Sequence, residues 1–226
     1  MSIFKLMAKP GRSLEPQQER SRESLRRLLQ AAAEVLGQHG LAGATIPRIA
    51  KHAGLTPGAV YRRFKNKDVL LETMILQLLE DQDKALRQSI TAEMAAEIPF
   101  AVLAEQVING MLLSYRSQAM LLRAVRQFTQ DRHGTLFWRK VTRIEVRTME
   151  YGVDLFLKSH GEIKHPDPRA AIGLALMMAV GTLWQLVVNP PDPKLCKGLI
   201  PRDDKTLQRE LTRSFLSYLG VERKGA

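Results

Sequence analysis

The chain has 226 residues, 45% hydrophobic and 25% charged, with one cysteine, Cys196, and a formal net charge of +11. That length buries the core of one large or two small domains. A lone cysteine excludes an intrachain disulfide framework and any paired-cysteine metal or redox motif, and is compatible with a reducing cytoplasm. The charge is unevenly placed: residues 1–70 carry 13 Lys/Arg against 5 Asp/Glu, and the remainder carries 21 against 18. A polyanion partner is therefore expected for the first third alone.

Residues 1–20 contain Pro10, Gly11 and Pro16 without a sustained period, which predicts a flexible basic arm. Its apolar stretch is interrupted by Lys5 and is too short for a secretory signal. From Ser21, Leu25, Leu28, Leu29, Ala32, Val35 and Leu36 recur at spacings of three and four, predicting a helix that stops at Gly40.

Two short helices joined by a tight turn follow. Thr45 is placed to cap the first through its hydroxyl, and Pro47 falls in its first turn, where a missing N–H does no harm. Ile46, Ile49, Ala50 and Ala53 face inward. Gly54 suits the left-handed position that ends the helix. Thr56 caps the next helix, with Pro57 at its favoured first position, and Val60 and Phe64 turn to the core.

Asn66 and Asp68 open a further helix with the stripe Val69, Leu71, Met74, Ile75, Leu78 and Leu79, running to about Ser89. Pro99, the stretch around Gly134 and the stretch 161–168 separate helices expected near 99–115, 118–130, 135–159 and 168–188. A proline-rich loop then leads to a last helix from Asp203 or Asp204 to Leu219. The predicted fold is all-α, about nine helices. It comprises an arm (1–20), a three-helix reading head (21–68) and a helical regulatory and dimerisation body (69–226).

The segment 170–188 is apolar except for Thr182 and Gln185, close to the length of a membrane span. A helix apolar all round is equally expected at a buried interface between two copies. The segment is expected at such an interface, with no membrane partner.

The second short helix leaves Pro57, Gly58, Ala59, Tyr61, Arg62 and Lys65 towards its outer face and margins. Gly58 and Ala59 are small enough to let its first turn approach base edges, and Ala59 suits a thymine methyl. Arg62 fits a guanine or a phosphate, and Tyr61 offers a phenolic donor. Lys67 opposes the positive end of its own helix, which is unfavourable locally yet completes a phosphate site beside free N–H groups. A helix-turn-helix can also be a plain packing unit, but packing alone asks for neither the small Gly58–Ala59 pair nor the Tyr61-Arg62-Arg63 cluster.

The stretch from about Ser21 to Leu79 resembles the N-terminal domain of the tetracycline-repressor (TetR) family. The resemblance rests on Ala33, Gly40, Thr45, Ile49-Ala50, Ala53-Gly54-Leu55-Thr56, Gly58, Val60-Tyr61, Phe64, Lys67 and Leu70-Leu71. It covers about a quarter of the chain closely; the rest matches in helix count and length.

The resemblance implies a cytoplasmic, sequence-specific transcriptional regulator, usually a repressor. Such a protein binds a palindromic double-stranded operator as a homodimer and answers to a small-molecule effector. By family pattern Thr45, Tyr61 and Lys67 contact phosphates, Thr56, Pro57, Ala59 and Arg62 read bases, and Arg48 adds a phosphate contact or a salt bridge. Lys5, Lys9, Arg12, Arg20 and Arg22 suit a minor-groove arm or a solvated tail. The helices near 168–188 and 204–219 would form the dimer.

An effector pocket would be lined by Met111, Tyr115, Phe128, Trp138, Tyr151, Met177 and Trp184, although Met and aromatic residues at helical spacing are also ordinary core. Arg116, Arg123, Arg126, Arg139, Arg143 and Arg147 hint at an anionic ligand, with solvated helix faces as the alternative. No cofactor, metal site or enzyme motif is legible. The competing function is an architectural DNA-binding protein of low sequence specificity.

Overall fold

The computed structural model describes residues 14–159, 163–192, 194–201 and 203–221. These residues form nine α-helices and no β-strand. Lys5, Lys9 and Arg12 lie outside the described residues. The first helix, α1 (Leu14–Gly43), begins inside the segment expected to be an arm, which corrects that expectation over 14–20, and residues 1–13 lie outside the described residues. Gly40 interrupts α1 with φ +64°, where the stop was predicted, and one further turn continues to Gly43.

Helices α2 (Ile46–His52), α3 (Pro57–Tyr61) and α4 (Lys67–Ser89) follow in the expected order. The apolar stripe of α1 supplies the fully buried Leu28, Ala32, Val35 and Leu36. Ile49, Ala50, Val60 and Phe64 close the cluster from α2 and from α3 and its following turn. Leu70, Leu71, Met74 and Ile75 close it from α4, while Val69 is exposed. This cluster does not stop at residue 68: Ala124, Phe128, Phe137 and Val141 belong to it.

The short helix α5 (Ala92–Ala96) was not expected; one turn and a half carries too little periodicity to be seen. Helix α6 (Phe100–Gln130) is continuous where two helices, 99–115 and 118–130, were predicted. The polar run Ser114–Gln118 is accommodated on the helix, not in a loop. Ser117 Oγ donates to the Ser114 carbonyl at 3.1 Å and Gln118 Nε2 to Ser114 Oγ at 3.2 Å. No proline or glycine falls between Met111 and Gln130 to end the helix.

Helices α7 (Leu136–Lys158), α8 (Pro168–Leu183) and α9 (Asp204–Tyr218) complete the body, and a π-helical turn, Trp184–Val188, extends α8. Arg123 secures that end by donating to the Val188 carbonyl, through Nε at 3.1 Å and through Nη2. At the far end of the body Phe100, Phe156 and Phe215 stack together, with centroids 5.1 to 6.4 Å apart. A third cluster, Leu112, Leu183, Val187 and Leu207, joins α6, the π turn and α9.

Among the described residues, 168–188 is the one helix long and apolar enough to cross a membrane. Its Ala171, Ile172, Ala175, Leu176, Ala179 and Leu183 are buried in the body. Its other face leaves Leu174, Met177 (62% exposed) and Met178 open.

Candidate nucleic-acid interface

Between α2 and α3 the chain turns through Gly54 at φ +67°, a left-handed conformation that glycine adopts without a side-chain penalty. The Leu55 N–H closes the turn on the Ala50 carbonyl at 2.8 Å. Thr56 then caps α3, its hydroxyl accepting from the Ala59 N–H at 3.2 Å. Helical hydrogen bonding carries on past Tyr61: Arg62 N–H reaches the Gly58 carbonyl and Phe64 N–H the Val60 carbonyl. Val60 and Phe64, buried four residues apart, fix which face turns outward.

That outer face presents Pro57, Gly58, Tyr61 (56% exposed), Arg62 and Lys65, with Ala59 half-buried at its margin. Gly58 is instructive. A Cβ built there would meet only the Thr56 hydroxyl, at 4.0 Å, so the protein's own packing does not require glycine. The space it leaves faces outward. Gly43 is the opposite case, since a Cβ there would lie 2.7 Å from the His39 Cβ.

Thr45 differs from expectation. It stands at the N-cap of α2 but makes no side-chain capping bond, leaving its exposed hydroxyl available. Arg48 and Lys67 both serve the end of α1: Arg48 Nη1 donates to the Gly43 carbonyl at 2.8 Å and Lys67 Nζ to the Leu41 carbonyl at 2.9 Å. A cation at the start of α4 therefore has a structural reason, because it satisfies a carbonyl at the negative end of a neighbouring helix. Asn66 caps α4 by accepting from the Val69 N–H at 2.9 Å. Thr45, Arg48 and Lys67 thus sit at the start of α2, in its first turn and at the start of α4.

Three fastenings were not visible in the sequence. Arg63 donates to the Ser21 carbonyl at 3.1 Å and to its hydroxyl at 3.4 Å, tying the end of the reading helix to α1 beside Arg20 and Arg22. His52 and Glu34 meet at 2.6 Å, and this hydrogen bond, helped by Gln30, holds the Glu34 carboxyl below its ordinary pKa. Arg132, from the corner between α6 and α7, reaches Asp68 at 2.9 Å and Glu72 at 3.5 Å while lying over the Phe128 ring.

The residues expected to line an effector pocket do not share one wall. Met111 and Tyr115 lie against the third apolar cluster, and Trp184 stacks under Arg126. Phe128 is buried in the head-side core, edge-on to Phe137. Trp138 packs on His133, and the Tyr151 hydroxyl donates to the Ile90 carbonyl at 2.7 Å. Met177 is on the open face of α8. Near Tyr115, burial raises both the Tyr115 phenol and the Glu145 carboxyl, with Arg126 opposing the rise in each. A cavity of about 520 Å³ lies elsewhere, between α6, the π turn, the loop before α9 and the start of α9.

The family profile of tetR-type bacterial regulatory proteins matches residues 28–74, from the core face of α1 into the first turns of α4. The HTH-type transcriptional regulator BetI 1 of Chromohalobacter salexigens is 46% identical over 61 residues, 27% of this chain and 30% of that protein. The match therefore spans less than a third of that relative's length. The uncharacterised HTH-type transcriptional regulator YhgD of Bacillus subtilis is 25% identical over 182 residues, 76% of this chain and 90% of that protein. A TetR transcription regulator from Haloarcula marismortui has the same fold, with a TM-score of 0.61 at 18% identity over 89% of this chain and 100% of that one. All three are described as transcriptional regulators. The profile lies on the helices that build the exposed α3 face, so residues 28–74 form a tetR-type helix-turn-helix segment similar to that of these transcriptional regulators.

Proposed function

We propose that the chain is a cytoplasmic, ligand-responsive repressor that binds a palindromic operator as a homodimer. The reading head is residues 21–68 and the regulatory and dimerisation body 69–226. The reading rests on the outer face of α3, where Gly58 leaves room that none of the described residues fills and the exposed Tyr61 and Arg62 stand beside it. An α3 lying in the major groove brings Thr56, Pro57, Ala59 and Arg62 to base edges. Thr45, Arg48, Tyr61 and Lys67 then flank them on phosphates, with an available hydroxyl, a phenol and two cations.

The open stripe on α8, Leu174, Met177, Met178 and Gly181 at spacings of three and four, supports the dimer. A helix already half-buried in its own chain has one apolar face left, and a second copy of α8 and α9 would cover it. Two heads about 34 Å apart, or a multiple, then match half-sites on one side of the duplex. An effector that binds better when the heads are differently spaced lowers operator affinity by population shift.

Sedimentation of the chain alone and on operator DNA tests the assembly. Two chains per site are expected, and Met177→Glu is expected to give monomers whose operator affinity collapses. A wild-type monomer at micromolar concentration, binding DNA one chain at a time, would remove the dimer.

A further inference from the structure

We infer that the cavity between α6, the π turn and the start of α9 is a binding site for an organic anion with an apolar body. The proposal deepens the ligand-responsive reading and rests on that reading only for its effect on DNA.

At about 520 Å³ the cavity falls within the range that encloses a small molecule. Leu186 and Leu207 line it with apolar surface; Leu207 belongs to the cluster that joins α6 to α9, and Leu186 packs against that cluster. Three cations line the same space, Arg116, Lys194 and Lys197, against one carboxylate, Asp203. Asp203 is already committed, because it caps α9 by accepting from the Thr206 N–H at 2.8 Å, which holds its carboxyl below the ordinary range. Lys194 and Lys197 have no ion-pair partner among the described residues. Apolar lining and unbalanced positive rim together favour a ligand that is hydrophobic at one end and anionic at the other.

Arg116 gives the site a route to the head. Its guanidinium holds Asp204 through a bidentate contact, 2.7 Å at the shortest, on side chains that are both about half-exposed. Such a pair is weak enough for an incoming carboxylate to compete for the arginine. Arg116 also borders a groove of about 410 Å³ between α1 and α6, where a Cβ built on Gly37 would lie 3.5 Å from the Leu121 Cβ. A ligand that takes Arg116 from Asp204 acts on the segment of α6 that carries α1.

The cavity contains the chain's only thiol, Cys196, so occupancy has a local readout. Alkylation of Cys196 by neutral iodoacetamide is followed by mass spectrometry with decanoate, 2-naphthoate or decyltrimethylammonium present. Saturable protection of at least about five-fold is expected from a carboxylate, and none from the cation. The double variant Lys194→Gln/Lys197→Gln should need about ten-fold more carboxylate for half protection while keeping its helical spectrum and operator affinity. Protection by neither carboxylate, equal protection by the cation, or an unchanged requirement in the double variant overturns the site. Operator binding is measured in the same mixtures. Protection without operator release leaves the site standing and removes the ligand-responsive reading; release without protection does the reverse.

Discussion

Lys67 divides a structural role from a DNA-binding one, and Lys67→Gln separates them quantitatively. One of the three Nζ donors is used by the Leu41 carbonyl at 2.9 Å, leaving two for a phosphate. A dimer that loses one cationic phosphate contact per chain releases two fewer counterions. The slope of log affinity against log salt should then become shallower by about 1.8. The affinity loss is about thirty-fold near 0.15 M salt and shrinks towards nothing near 1 M. Stability should fall by only about 1 kcal/mol, a Tm decrease of about 2–4 °C, because glutamine keeps an N–H donor near the half-buried carbonyl. The assay is fluorescence anisotropy with one operator duplex at five salt concentrations, with Lys140→Gln on the exposed surface of α7 as the control. A Lys67→Gln variant with the wild-type slope would refute the phosphate role and leave Lys67 as a cap of α1.

Other perturbations address the frame around the site. Gly54→Ala meets no atom within 4 Å, so its cost is backbone strain at φ +67°, about 1–2 kcal/mol. Its thermal melt should drop by about 2–8 °C, and an unchanged melt would contradict that conformation. Asp83, 4% exposed, accepts from Arg87 and Thr148 and pairs with Arg147. The Arg87 hydrogen bond, outweighing burial, lowers its pKa. Its stabilisation is therefore present above the ordinary aspartate range and lost as pH falls through the folded value. Asp83→Asn should cost about 2 kcal/mol at neutral pH, since the arginines remain partly solvated, and the gap in Tm should close below about pH 4. A gap independent of pH would refute this. Arg132→Gln leaves Asp68 and Glu72 unpaired beside Lys67 and should weaken operator binding about five-fold, roughly 1 kcal/mol. Asp68→Asn in the same chain should recover part of it, and strict additivity of the two changes would contradict the coupling.

The head was legible because its signals are local. Thr56, Asn66 and Gly54 act within four residues of themselves, and Val60 with Phe64 orients α3 by spacing alone. Thr45 shows the limit, since a capping residue type occupies the N-cap without making the bond. Lys67 was singled out for a conflict that the Leu41 carbonyl resolves, and that carbonyl lies 26 residues away. The continuous α6 was missed for a related reason. Its polar run reads as a loop until Arg116 is seen to meet Asp204, 88 residues on. Arg63 with Ser21 and Asp83 with Thr148 are likewise pairs that only the fold brings together. The expected pocket failed to converge because an aromatic at helical spacing does not say which neighbour it faces. Phe128 faces the head-side core, whereas Tyr151 packs under Arg87.

Footprinting on genomic fragments selected by the purified chain, with excess competitor DNA at near-physiological salt, reads the operator itself. A short protected palindrome shared by the selected fragments is expected, its half-sites one or two helical turns apart. Diffuse protection with no common site and a steep salt dependence would contradict it and leave an architectural DNA-binding protein.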